Sequence, residues 1–76
     1  MSEIKMLKVD SSDVVAIGHD EKSSKLRVKY KSGLYEYTDV PIEVFKQLQE
    51  AESKGRHINI FIKGIYEYIK VFNGFF

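Results

Sequence analysis

The chain has 76 residues, with 12 Lys and Arg against 11 Asp and Glu and a net charge of +1. That is room for one domain, residues 1–76, and it excludes the strongly basic composition of many nucleic-acid binders, although a local patch can hide in such a sum. Cysteine is absent, which excludes disulfides and thiolate chemistry and leaves apolar packing, extended where needed by self-association, to hold the fold.

Apolar residues make up 43% and charged residues 30% of the chain, a balance that suits a folded globule. Met1-Ser2-Glu3-Ile4-Lys5 lacks the apolar run of a signal peptide. No stretch approaches the roughly 20 apolar residues of a membrane span. We therefore expect a cytoplasmic protein with no membrane contact.

In chain order, Leu7 and Val9 alternate with Lys8, and a first strand is expected over Met6–Asp10. Ser11-Ser12-Asp13 is a turn signal. Val14–Gly18 is a compact apolar run that reads as a buried strand, followed by a polar turn over Asp20–Ser24, with His19 at its start. Lys25–Lys31 alternates strictly. Leu26, Val28 and Tyr30 share one face, and Lys25, Arg27, Lys29 and Lys31 share the other. Ser32-Gly33 is expected to be the hairpin turn. That register sets Tyr30 against Tyr35 and Lys29 against Glu36, an aromatic pair inside and an ion pair outside.

Thr38-Asp39-Val40-Pro41 predicts a helix start, with Pro41 in the first turn and Asp39 satisfying early N–H groups. Val44, Phe45, Leu48 and Ala51 fall on one helical face and Gly55 is expected to end the helix. Ile58, Phe61, Ile62 and Ile65 fit a short second helix, while Ile58, Ile60 and Ile62 fit a strand nearly as well. We read a helical turn ending at Gly64. Tyr66–Phe72 then predicts a last strand, closed by Asn73-Gly74. Strands first and helices after give the α+β class. The expected architecture is an antiparallel meander of four or five strands, with one main helix on one face and a short second helix.

The order of these signals resembles the KTSC domain, named for its presence at the C-terminus of some lysyl-tRNA synthetases and found alone in small bacterial and phage proteins. The resemblance runs from about Val9 to Tyr68. It is carried by Ser11-Ser12, Val15-Ala16-Ile17-Gly18-His19-Asp20, Leu26-Arg27-Val28, Ser32-Gly33, Tyr35-Glu36-Tyr37, Asp39-Val40-Pro41, Gly55, Asn59, Ile62 and Tyr66. The family's aromatic pair before the asparagine is replaced here by Arg56-His57-Ile58, and its Tyr-Pro-Tyr by Tyr66-Glu67-Tyr68. The resemblance implies this α+β fold and leans towards RNA binding.

Candidate sites come from the residues themselves. Lys25, Arg27 and Lys29 form a basic strand stripe that could track phosphates, or an ordinary solvated face partly neutralised by Glu36. Tyr35 and Tyr37 could contact bases at the rim of the sheet, or pack in the core with Tyr30. Lys54, Arg56, His57 and Asn59 cluster at the helix junction, where a helix start could receive a phosphate or carboxylate. Two distant histidines without cysteine give no zinc set, and no nucleophile elbow or phosphate loop is present. No cofactor, no metal and no enzymatic activity are expected. Phe72, Phe75 and Phe76 form an apolar end that either folds back or meets a partner, as in a homo-oligomer. The expected function is a non-enzymatic binder of phosphate-bearing ligands, RNA or a smaller nucleotide that it could sequester. The alternative is a protein-interaction module or inhibitor, docking through the apolar end or the exposed helix face.

Overall fold

The computed structural model describes residues 4–11 and 13–72. Five strands run β1 (Leu7–Lys8), β2 (Val14–Asp20), β3 (Lys25–Tyr30), β4 (Gly33–Tyr37) and β5 (Tyr68–Phe72), with helices α1 (Ile42–Glu50) and α2 (Lys54–Phe61) between β4 and β5. All neighbours are antiparallel in the order β1-β2-β3-β4-β5. This is the expected α+β meander, with helix rather than strand over 54–61. The first strand is shorter than expected, the second runs on through His19 to Asp20, and the last starts at Tyr68 rather than Tyr66.

Period-two alternation decides the two faces of the sheet, with a bulge in β2 between Val14 and Ala16 that sets Val14 and Ile17 on the same face. Val14, Ile17, Leu26, Val28 and Tyr37 point inward and are closed off by Val40, Phe45, Leu48, Ile58 and Ile62 from the helical layer. On the opposite face lie Gly18, Arg27 and Glu36, in register across β2, β3 and β4.

The β3–β4 hairpin differs from the sequence expectation by two residues. Lys31-Ser32 is the loop, and Tyr30 pairs with Gly33, Val28 with Tyr35 and Arg27 with Glu36. Neither loop residue takes a positive φ, so the turn makes no demand for glycine and Gly33 opens β4 instead. A slip of two keeps every side chain on its expected face. It exchanges the ion pair, so Glu36 meets Arg27 in place of Lys29. Tyr30 and Tyr35 become diagonal neighbours, edge to face with centroids 5.3 Å apart.

The helical layer is entered through Asp39, which takes the left-handed φ of 57°. Asp tolerates that conformation better than most residues. Its side chain does not cap α1. Pro41 occupies the N-cap position with no side-chain hydrogen bond. Between them Val40 is fully buried and held at both ends. Its N–H donates to the Ser24 carbonyl at 2.8 Å, and its carbonyl accepts from His19 Nε2 at 2.7 Å.

The first helix ends before Gly55, contrary to the sequence expectation. Ala51 is its C-cap, and Ser53 starts α2 by accepting a hydrogen bond from the Arg56 N–H at 3.3 Å. Gly55 therefore sits inside α2, and it is Gly64, at φ 79°, that closes the helical stretch.

Candidate ligand clefts beside the tyrosine cluster

Tyr30 ends β3, Tyr35 and Tyr37 alternate along β4, and Tyr68 opens β5 opposite Tyr37. All four therefore gather at one corner of the inner face, where the helices leave the sheet uncovered. Tyr68 lies 5.5 Å, centroid to centroid, from both Tyr35 and Tyr37. With Ser32, Lys63 and Gly64 these rings line a cleft of about 360 Å³, within the range of about 300–1,000 Å³ typical of ligand pockets. Tyr37 is its buried floor, while Tyr68 stands 54% exposed at the mouth.

Two cations stand over the aromatic faces. Lys63 Nζ lies 5.4 Å from the Tyr30 centroid and Lys70 Nζ 5.7 Å from that of Tyr35. Such contacts hold an ammonium near the ring without consuming its charge. Burial, with the Tyr37 hydroxyl as hydrogen-bond partner at 3.4 Å, pushes the Tyr30 phenol far above its ordinary value. Burial raises Tyr37 as well. Both stay protonated at physiological pH, so the cleft offers hydroxyls and π faces rather than phenolate charge.

A second cleft of about 230 Å³ adjoins the first and shares Tyr30, Ser32 and Lys63 with it. Its other walls are Asp13, Lys31, Gly55 and Asn59. The Lys31 N–H donates to the Asp13 carbonyl at 3.1 Å, which fixes Asp13 beside the hairpin loop.

The residues singled out from the sequence are dispersed over several surfaces. Tyr35 and Tyr37 line the first cleft and Asn59 the second. Lys25, Arg27 and Lys29 lie on the opposite face of the sheet. Glu36 is met by Arg27 Nε at 2.7 Å and by Lys25 Nζ at 3.6 Å, and Lys29 is engaged too. The one carboxylate of Glu36 therefore offsets one of the stripe's three positive charges.

Lys54 donates to the carbonyls of Gln49, at 2.9 Å, and Ala51, which caps the end of α1. Arg56 and His57 border a separate hollow with Ser53 and Phe61. Burial, and then the Lys54 ammonium, hold the His57 imidazole below its ordinary pKa. Phe72 pairs with Leu34 through β5, and Phe75 and Phe76 lie outside the described residues. Lys63, which lines the tyrosine cleft, and Lys70, which stands over Tyr35 beside it, were not among the sequence candidates. A signal was present: Gly55, Asn59 and Lys63 repeat at intervals of four, and Tyr68 and Lys70 at intervals of two.

Among the described residues no three His, Cys, Asp or Glu side chains come together as metal ligands, and no helix is long and apolar enough to cross a membrane.

A family profile described as the KTSC domain matches residues 10–71. A lysine–tRNA ligase of Nostoc punctiforme is 38% identical over 64 residues, 83% of this chain but 11% of that protein. The chain thus spans about a tenth of the length of that relative, as its 11% share states. An uncharacterized protein of Stutzerimonas stutzeri is 39% identical over 70 residues, 90% of this chain and 99% of that one. The crystal structure of a KTSC domain protein from Yersinia pestis superposes with a TM-score of 0.88 at 30% identity, covering 91% of this chain and 99% of that one. The chain belongs to the KTSC domain family.

Proposed function

We propose that this protein is a non-enzymatic, cytoplasmic binding module for phosphate-bearing ligands, RNA or a smaller nucleotide. A base stacks in the tyrosine cleft, and Lys63 and Lys70 meet the phosphates. The observation that carries this reading is the pair of ammonium groups poised over Tyr30 and Tyr35 at the edge of an open aromatic cleft. Aromatic faces accept any base, and nearby cations supply the sequence-independent part of affinity. The match to part of a lysine–tRNA ligase fits an RNA setting.

Titration of a short single-stranded oligoribonucleotide, followed by tyrosine fluorescence, tests it. Neutralising two phosphates predicts a loss of about sevenfold in affinity from about 50 to about 200 mM salt. Tyr35→Ala is expected to cost about 1–3 kcal/mol of binding, the value of one stacked base, whereas Tyr35→Phe keeps the stack and the affinity. Lys63→Glu should weaken binding as well. Unchanged affinity in Tyr35→Ala would remove the cleft from consideration.

A second reading, a protein-interaction module, is favoured by Ile60 and Phe61, which stand 54% and 51% exposed side by side on α2. Analytical ultracentrifugation across a concentration series checks its homo-oligomeric form. Association of the wild type that disappears in the Ile60→Ser, Phe61→Ser double variant supports it. A concentration-independent monomer counts against it.

A further inference from the structure

The second cleft has three features that the tyrosine cleft does not explain. The first is Gly55. It lies inside α2, where glycine is a poor helix former, yet a Cβ added there would meet nothing within 4 Å. No packing contact requires the glycine. What it does is leave open the wall of the cleft that Asn59, on the same helix, and Lys63, just beyond its end, also line. The second is Asp13, an exposed carboxylate that has, among the described residues, no hydrogen-bond or ion-pair partner for its side chain. The third is continuity. Tyr30, Ser32 and Lys63 wall both clefts, so a ligand seated among the tyrosines extends directly into the second.

A carboxylate in a cleft that receives a sugar-phosphate repels the phosphate, and where the ligand displaces its water the group it favours on the ligand is a hydrogen-bond donor. Along a polynucleotide backbone the phosphates donate nothing, and the sugar donates only through its 2′-hydroxyl, the group that separates RNA from DNA. We propose that the second cleft takes the ribose-phosphate of the ligand and that the Asp13 carboxylate accepts a hydrogen bond from the ribose 2′-hydroxyl. The ligand is thereby specified as a ribonucleotide. Lys31 and Lys63, which line the same cleft, meet the adjoining phosphate, and Asn59 supplies a neutral donor and acceptor. This rests on the reading of the tyrosine cleft as a nucleotide site.

The test compares one single-stranded sequence made as RNA and as DNA, together with the four nucleoside 5′-monophosphates in ribo and 2′-deoxy form, on the full chain. The wild type should favour the ribo oligomer by at least about tenfold, the value of one hydrogen bond to a charged group. Asp13→Ala should bring that ratio close to one, with deoxy binding held or improved because a negative charge is gone. Gly55→Leu should abolish binding of both oligomers while the thermal midpoint stays at or above that of the wild type, since its side chain enters open space. The monophosphates separate the sources: one that binds as tightly as the oligomer points to a free nucleotide, and a much tighter oligomer points to a strand. Equal affinity for ribo and deoxy oligomers, or a ratio that Asp13→Ala leaves unchanged, overturns the sugar assignment while the tyrosine-cleft reading stands. If no probe binds the wild type, that reading falls and takes this one with it.

Discussion

Val40 shows how much a single position depends on distant ones. Its side chain closes the core, its N–H is held by the Ser24 carbonyl and its own carbonyl by His19, whose ring also stacks on Phe45 at 5.5 Å. The Asp39-Val40-Pro41 tripeptide thus turns the chain at a left-handed Asp39, plugs the core and sets Pro41 at the start of α1, with His19 fixing the junction. The other histidine has a different consequence. His57 lies against Phe61, with centroids 4.7 Å apart, and is held below its ordinary pKa chiefly by burial and secondarily by Lys54. The unfolded chain therefore binds a proton that the folded one refuses. This contribution to stability is complete above the ordinary histidine value of about 6.5 and is lost as pH falls below it. Urea midpoints taken at about pH 7.5 and about pH 5.5 should fall more for the wild type than for His57→Gln. An equal fall in the two proteins would show that His57 does not couple to folding.

At the scale of elements, the sheet was legible and the helix junction was not. Leu26, Val28, Tyr30, Tyr35 and Tyr37 alternate cleanly, and strict alternation states which face is buried whatever the turn does. The hairpin register differs by two because Gly33 draws the expected turn to Ser32-Gly33, while Lys31-Ser32 closes it at negative φ. The end of α1 was misplaced because Ala51-Glu52-Ser53 contains no glycine or proline. The break is made by capping instead: Ser53 accepts from the Arg56 N–H, and Lys54 bonds back to carbonyls of Gln49 and Ala51. A glutamate three residues after the serine would have announced a capping box, but Arg56 stands there. The second cleft depends on the same junction. Only with α2 started at Lys54 do Gly55 and Asn59 share a helical stripe, which the turn after Phe61 continues to Lys63 beside the same cleft. The tyrosine half of the site was visible as residue types, but its meeting with Lys63 needs the β3–β4 hairpin and the end of the helical stretch to be placed together.

Across the whole molecule, the two faces of the sheet are closed by different means. The inner face is covered by the helices, apart from the corner that leaves the tyrosines open. The outer face has no helix, yet Glu36 is only 6% exposed there and Gly18 is buried. The Lys25 and Arg27 side chains lie across Glu36, and the segment Ile4–Met6 crosses over Gly18. A Cβ added at Gly18 would meet the Lys5 carbonyl oxygen at 2.5 Å, Ile4 Cγ2 at 2.8 Å and Met6 Sδ at 2.8 Å. Two of these are ends of side chains that can move, but the first is backbone, so the segment itself has to shift. Gly18→Val should therefore lift Ile4–Met6 off the sheet. The expected loss is about 1–3 kcal/mol, the usual range for overpacking, with residues 4–6 newly open to limited proteolysis. The binding proposed for the tyrosine clefts, on the other face, should be unchanged. Coupling supplies the sharper check. If the damage lies in this contact, removing residues 1–6 and then introducing Gly18→Val should add almost nothing to the destabilisation, because the two changes remove the same interaction. Additive losses would mean that Gly18 serves the β2 backbone itself, and that the outer face is held by its ion pairs without help from the N-terminal segment.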